Sequence, residues 1–102
     1  MAKNALLPSN APANTPTNFT HIVVIQSGWV FIGHRVIKDN LMTLTNSHCI
    51  RRWGTTMGLG QLALSGEQSE TVLEPTGIME VPMHAVHFSI TIDPAKWTKY
   101  AV

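Results

Sequence analysis

Charge is scarce in this chain. Only 13% of its 102 residues are Asp, Glu, Lys or Arg, where an average domain carries about a quarter. Seven cationic side chains against six carboxylates leave a net charge of +1. General nucleic-acid binders need a field of Lys and Arg to displace counterions, so the balance argues against that class. A surface this poor in charge is filled by Asn, Thr, Ser, Gln or apolar groups. That favours contacts between subunits, because interface cores are depleted in charge. The carboxylates Asp39, Glu67, Glu70, Glu74, Glu80 and Asp93 are scattered among turns and strand ends, with no pair placed for acid–base work.

Cysteine is nearly absent too. Cys49 stands alone, which rules out an internal disulfide, points to a reducing compartment and reads as a small core residue. Long apolar runs are missing. No stretch approaches the ~20 residues of a membrane helix, and Ala5-Leu6-Leu7 is too short for the core of a signal peptide. Without secretion, Asn18-Phe19-Thr20 is a chance glycosylation triplet. The five histidines assemble no metal site. His84 and His87 fall on opposite faces of a strand, His48 and Cys49 diverge as neighbours, and zinc wants about four converging ligands. Neither a cofactor nor catalysis is expected.

What the chain does have is apolar residues, 44% of the total, enough for one small domain rather than a disordered segment. Residues 1–19 read as an extended arm, with Pro8, Pro12 and Pro16 among Ala, Asn, Ser and Thr. Proline every fourth residue forbids a helix. Residues 20–93 read as a single β-rich domain, and residues 94–102 as a tail carrying Trp97 and Tyr100.

Strand signals run through the body. His21-Ile22-Val23-Val24-Ile25-Gln26 is a β-branched run closed by a Ser27-Gly28 turn. Trp29 to Ile37 follows, with Gly33 marking a bulge or bend. After Lys38-Asp39-Asn40, two short strands are expected over 41–45 and 47–53, broken near Asn46. Leu59, Leu62 and Ala63 sit at helical spacing, so 59–64 is a short helix that Thr56 or Gly58 starts and Gly66 ends. Thr71-Val72-Leu73 and 78–81 are further strands on either side of a Pro75-Thr76-Gly77 turn. In the last strand Val86, Phe88, Ile90 and Ile92 share one face, and His87, Ser89 and Thr91 the other. The expected fold is mainly β: a small antiparallel barrel or rolled sheet of six or seven short strands with one short helix.

Two motifs reach toward known chemistry and stop short. Leu44-Thr45-Asn46-Ser47-His48-Cys49 resembles the segment around the catalytic histidine of trypsin-like serine proteases. That family usually has two alanines before the histidine, and it needs a second barrel, a buried aspartate and a serine in a glycine-rich turn; none has a counterpart here. Gly58-Leu59-Gly60-Gln61-Leu62-Ala63 fits the dinucleotide fingerprint, but the parallel βαβ succession and the acidic residue about 20 positions on are missing.

A milder reading survives. Arg51, Arg52, Trp53, Thr55 and Thr56 lead into the helix start at Gly58 and Gly60. Arginine pairs with phosphate, threonine donates to it, tryptophan stacks on a base, and glycine lets the backbone approach. The plainer reading of the same residues is a capped helix, a core tryptophan and a solvated arginine pair. Arg51 and Arg52 alternate along a strand, so only one is expected to line a pocket.

The stretch from Ile50 to Ala63, Glu70-Thr71-Val72-Leu73, the strand after Pro82, and the opening Val23-Val24-Ile25 with Gly28-Trp29-Val30-Phe31-Ile32-Gly33 resemble small bacteriophage and prophage proteins. The likeness covers about residues 20–92 and carries no function with it. It implies a phage setting. The expectation is a non-catalytic homo-oligomeric binding module in the host cytoplasm. It would sequester a small anionic or nucleotide ligand through Arg51, Arg52, Trp53, Thr55, Thr56, Gly58 and Gly60, as a counter-defence protein does. The alternative is a virion accessory subunit of capsid or tail, which assembles on other virion subunits through the arm.

Overall fold

The computed structural model describes residues 18–100. Five antiparallel strands form one sheet: β1 (His21–Ile25), β2 (Val30–Lys38), β3 (Leu41–Arg52), β4 (Val72–Pro82) and β5 (Val86–Thr91), with one helix, α1 (Leu59–Ser65), between β3 and β4. The order across the sheet is β4-β3-β2-β1-β5. The first four strands run as a meander, and β5 returns to the far side of β1. A single 3-10 turn, Met83–Ala85, makes that crossing. Residues 1–17 of the N-terminal arm expected over 1–19 lie outside the described residues.

The mainly β reading holds, but the count of six or seven strands does not. Two expected breaks are irregularities inside continuous strands. Asn46 takes a positive φ of 51° within β3, and pairing with β4 shifts register between Leu44 and Ser47 without parting the strand. Pro75-Thr76-Gly77 reads as a turn by composition, yet His48 pairs with Pro75 and Ser47 with Gly77. A turn-rich triplet here makes an edge-strand bulge, a place in a sheet that tolerates proline.

The sheet coils but does not close into a barrel. At the β2 bulge the register slips between Ile32 and His34. A Cβ on Gly33 would stand 3.1 Å from the Thr45 carbonyl oxygen, so the close approach of β3 needs glycine. The bend carries the Lys38–Leu41 end over the sheet. There the Met83 N–H donates to Asn40 O at 2.9 Å, while the Gln26 N–H donates to Ala85 O at 2.7 Å. The 3-10 turn thus spans the two ends of the coil, and β4 and β5 remain the edges of the sheet.

Coiling gives the sheet two cores. Inside the coil lie Val23, Phe31, Met42, Leu44, Cys49 and Val81. On the outer face, Ile22, Val24, Val30, Ile32 and Ile50 meet Leu59, Leu62 and Ala63 of α1, together with Phe19, Ile92 and Trp97. The β1 residues alternate between the two, as a strand buried on both sides must. In β5, Ile90 packs with the outer core, Val86 turns to the inner one after the register shift opposite Val24 and Ile25, and Phe88 stays 44% exposed.

Phe19, assigned by sequence to the arm, and Trp97, assigned to the tail, are both core residues, 1% and 2% exposed. Phe19 stacks on Tyr100 at 4.8 Å and meets Trp97 edge-on at 5.6 Å. The segment after β5 closes over α1. Trp97 Nε1–H and the Asp93 N–H both donate to Ala63 O, one of the carbonyls a helix C-terminus leaves unpaired.

Candidate functional site

Part of the anion cradle expected at the start of α1 is engaged by the chain itself. Gly58 precedes the helix with φ 89° and no side-chain cap. Thr55 Oγ1 accepts the Gly58 N–H at 3.1 Å and donates to the Gly58 carbonyl at 3.0 Å. Gln61 Oε1 accepts from the Thr56 and Met57 N–H groups, at 3.1 and 2.7 Å, and from Thr56 Oγ1 at 3.3 Å. Thr55, Thr56 and Gly58 therefore brace a loop, and Gly60 lies within the first helical turn. The Thr55 and Thr56 hydroxyls and the Thr56, Met57 and Gly58 N–H groups are thus engaged within the loop.

Arg51, Arg52 and Trp53 go separate ways. Arg52 reaches Glu70 at 3.6 Å. Arg51 points to the other side, 3.2 Å from Glu74, with its guanidinium 5.6 Å from the ring centre of Trp29. Trp53 is 41% and Trp29 51% exposed. Together they shape a cleft of about 350 Å³ whose walls are Ser27, Gly28 and Trp29 on one side and Ile50, Arg51 and Trp53 on the other.

Local structure fixes both tryptophans. Gly28, with φ 94°, turns the chain between β1 and β2. The Ile25 N–H donates to Trp29 O at 3.0 Å and the Gly28 N–H to Ile25 O at 2.8 Å, so Trp29 is pinned where the turn ends. At the other wall the Thr71 hydroxyl donates to Trp53 O at 2.6 Å while accepting the Gln68 N–H at 2.9 Å. Gly54 follows Trp53 with φ 68°, and a Cβ there would run into the backbone of Glu70 and Thr71. The turn after Trp53 thus requires glycine.

Sequence reasoning singled out Arg51 and Trp53 and missed Trp29 as a site residue. Its signal was a tryptophan directly after a Ser-Gly turn, where a strand end presents its side chain instead of burying it. The cleft offers two aromatic faces and one guanidinium, the elements that hold a planar group by stacking and an anion by charge-assisted hydrogen bonds.

Three groups outside the cleft are shifted by their surroundings. Burial pushes the Cys49 thiol up, away from the reactive thiolate. Tyr100 is pushed up to about 12 by burial and then by its 2.9 Å hydrogen bond to Glu67. His21 is lowered by burial, with Arg35 and then His34 adding to it. Among the described residues no three His, Cys, Asp or Glu side chains gather as a metal ion would need, and no helix is long and apolar enough to cross a membrane. In comparisons with known proteins, no family model and no curated relative matches the chain.

Proposed function

We propose that this chain is a non-catalytic binding module that holds a small planar anion, a nucleotide by class, in the Trp29–Arg51–Trp53 cleft. One observation carries the reading: two half-exposed tryptophans flank a guanidinium across an open cleft of about 350 Å³. Large aromatic rings left in water forgo burial that a core would supply. Here they lie at a site where stacking recovers it. A base stacked on tryptophan is worth about 1–3 kcal/mol by alanine substitution, and Arg51 supplies the counter-charge for phosphate. The likeness to phage proteins sets the module, in this proposal, in the cytoplasm of a bacterial host as a counter-defence protein that sequesters its ligand.

The expected role of Thr55, Thr56, Gly58 and Gly60 changes accordingly. In this reading Thr55, Thr56 and Gly58 brace the loop that follows Trp53, Gly60 belongs to the first helical turn, and the ligand is held without them. The alternative, a virion subunit, drew on the aromatic tail and the arm. Trp97 and Tyr100 now serve the core, and the arm lies outside the described residues.

Titration with nucleoside mono-, di- and triphosphates, read by tryptophan fluorescence, tests the proposal. Saturable quenching is expected in the wild type. Trp53→Ala and Arg51→Ala should each weaken it about tenfold or more, with far-UV circular dichroism unchanged. Absence of quenching across these ligands, or unchanged affinity in both variants, would overturn the assignment.

A further inference from the structure

The two edges of the sheet are not alike. β4 is protected along its length: it contains Pro75 and Pro82, a glycine at φ 75° in Gly77, the charged Glu74 and Glu80, and repeated register shifts against β3. Proline, bulges and charge are the devices that keep a strand edge from pairing with another chain. β5 has neither proline nor permanent charge, and its one register shift against β1 lies at its start, between Phe88 and Val86. Its six residues, Val-His-Phe-Ser-Ile-Thr, include no proline, glycine, acid, lysine or arginine, and Phe88 stands 44% exposed beside the edge. Among the described residues no strand lies beyond it.

The register shows which groups are free. In an antiparallel ladder alternate residues turn their N–H and C=O to the same neighbour. Ile92 donates to Thr20 O at 3.1 Å, and Ile90 and Phe88 stand opposite Ile22 and Val24, so these three face β1. His87, Ser89 and Thr91 therefore turn their backbone N–H and C=O groups outward. The side chain of Ser89 is drawn away from that row, because its Oγ accepts from Arg35 Nη1 at 2.8 Å.

From this edge we infer that the protein is a two-fold dimer in which β5 pairs antiparallel with β5 of a second copy, centred on Ser89. The inference stands apart from the ligand assignment. A second copy fits because the row is self-complementary. Ser89 meets its own equivalent, and His87 meets Thr91 of the partner, each as a hydrogen-bonded pair. Phe88 then lies directly opposite the partner's Ile90 in a close, non-hydrogen-bonded pair, which covers the ring left exposed in one copy. No acid, lysine or arginine on the strand opposes another, so self-pairing meets no repulsion from permanent charge. The pairing joins two five-stranded sheets into one and leaves the guarded β4 edges outermost.

Sedimentation equilibrium of the full chain, with backbone amide exchange read by NMR, tests the inference. The wild type should weigh twice the monomer in the micromolar range, with slow exchange at Ser89 and Thr91. Ser89→Pro removes one outward N–H, and Phe88→Lys places like charges across the two-fold axis. Each should weaken association about tenfold or more and speed exchange at the edge, while Glu80→Lys on β4 leaves the dimer intact. Should Ser89→Pro fail to fold, Phe88→Lys and the exchange data decide alone. A monomeric wild type overturns the inference, whether its Ser89 amide is open to solvent or protected by the chain's own arm. So does a dimer that survives Phe88→Lys with unchanged exchange at Ser89.

Discussion

At the scale of single residues, Arg51 joins what was legible in the sequence to what was not. Strand alternation separates it from Arg52, and the structure gives Arg51 to the cleft and Arg52 to Glu70. Its counter-ion, Glu74, was not legible, because Cys49 pairs with Glu74 across a sheet and register depends on tertiary pairing. That ion pair is half-exposed on both sides, 50% and 58%, so it contributes little to stability, about 0–1 kcal/mol. In the proposed cleft it would compete with a ligand anion for the same guanidinium. Glu74→Gln should therefore tighten nucleotide binding up to roughly fivefold and leave the melting temperature nearly unchanged. Isothermal titration of the two proteins side by side is the check. Weaker binding by the variant would mean that Glu74 positions Arg51 for the ligand instead of blocking it.

At the scale of elements, the same logic explains the strand count. Periodicity located every strand, because β-branched runs and alternation are local signals. It split β3 and β4 because Asn46 and Pro75-Thr76-Gly77 have turn chemistry, and turn residues serve equally at a bulge. Whether such residues end a strand or kink it depends on the neighbour: Ser47, 1% exposed, bonds to Thr76 and to the Gly77 carbonyl and holds the kinked strands together. At the Thr55–Gly60 cradle composition could not show that Gln61 reaches back to the Thr56 and Met57 N–H groups. The segment after β5 shows the opposite error, since its composition looked like a tail. Trp97 packs under α1 and satisfies Ala63 O, so the helix depends on it. Trp97→Ala should cost about 3–5 kcal/mol, read as a lowered urea midpoint. The cleft shares Val30 and Ile50 with this packing. Nucleotide-induced quenching should consequently fall together with the folded fraction.

Two groups, Tyr100 and His21, give the whole molecule opposite limbs of pH dependence, and the raised Cys49 thiol adds to the alkaline one. Tyr100, stacked on Phe19 and bonded to Glu67, ionises in the unfolded chain near 10 and in the folded one near 12. Between those values the unfolded state has lost a proton that the folded state keeps, so ionisation draws the equilibrium toward unfolding. The contribution is complete below pH 10 and is lost as pH rises to about 12. His21 works from the other side. Its folded value is depressed from 6.5 by burial, Arg35 and His34. The unfolded chain thus takes up a proton first as pH drops, and stability declines below about 6.5. Chemical denaturation across pH, in the wild type and in Tyr100→Phe, separates the two limbs. The phenylalanine variant should start less stable, having lost the bond to Glu67. Its loss between pH 10 and 12 should be shallower than that of the wild type, because it has no phenol to ionise. Below pH 6.5 the two curves should run parallel, since His21 is common to both. Parallel curves above pH 10 would instead mean that the phenol titrates alike in the folded and unfolded chains, against its burial and its bond to Glu67.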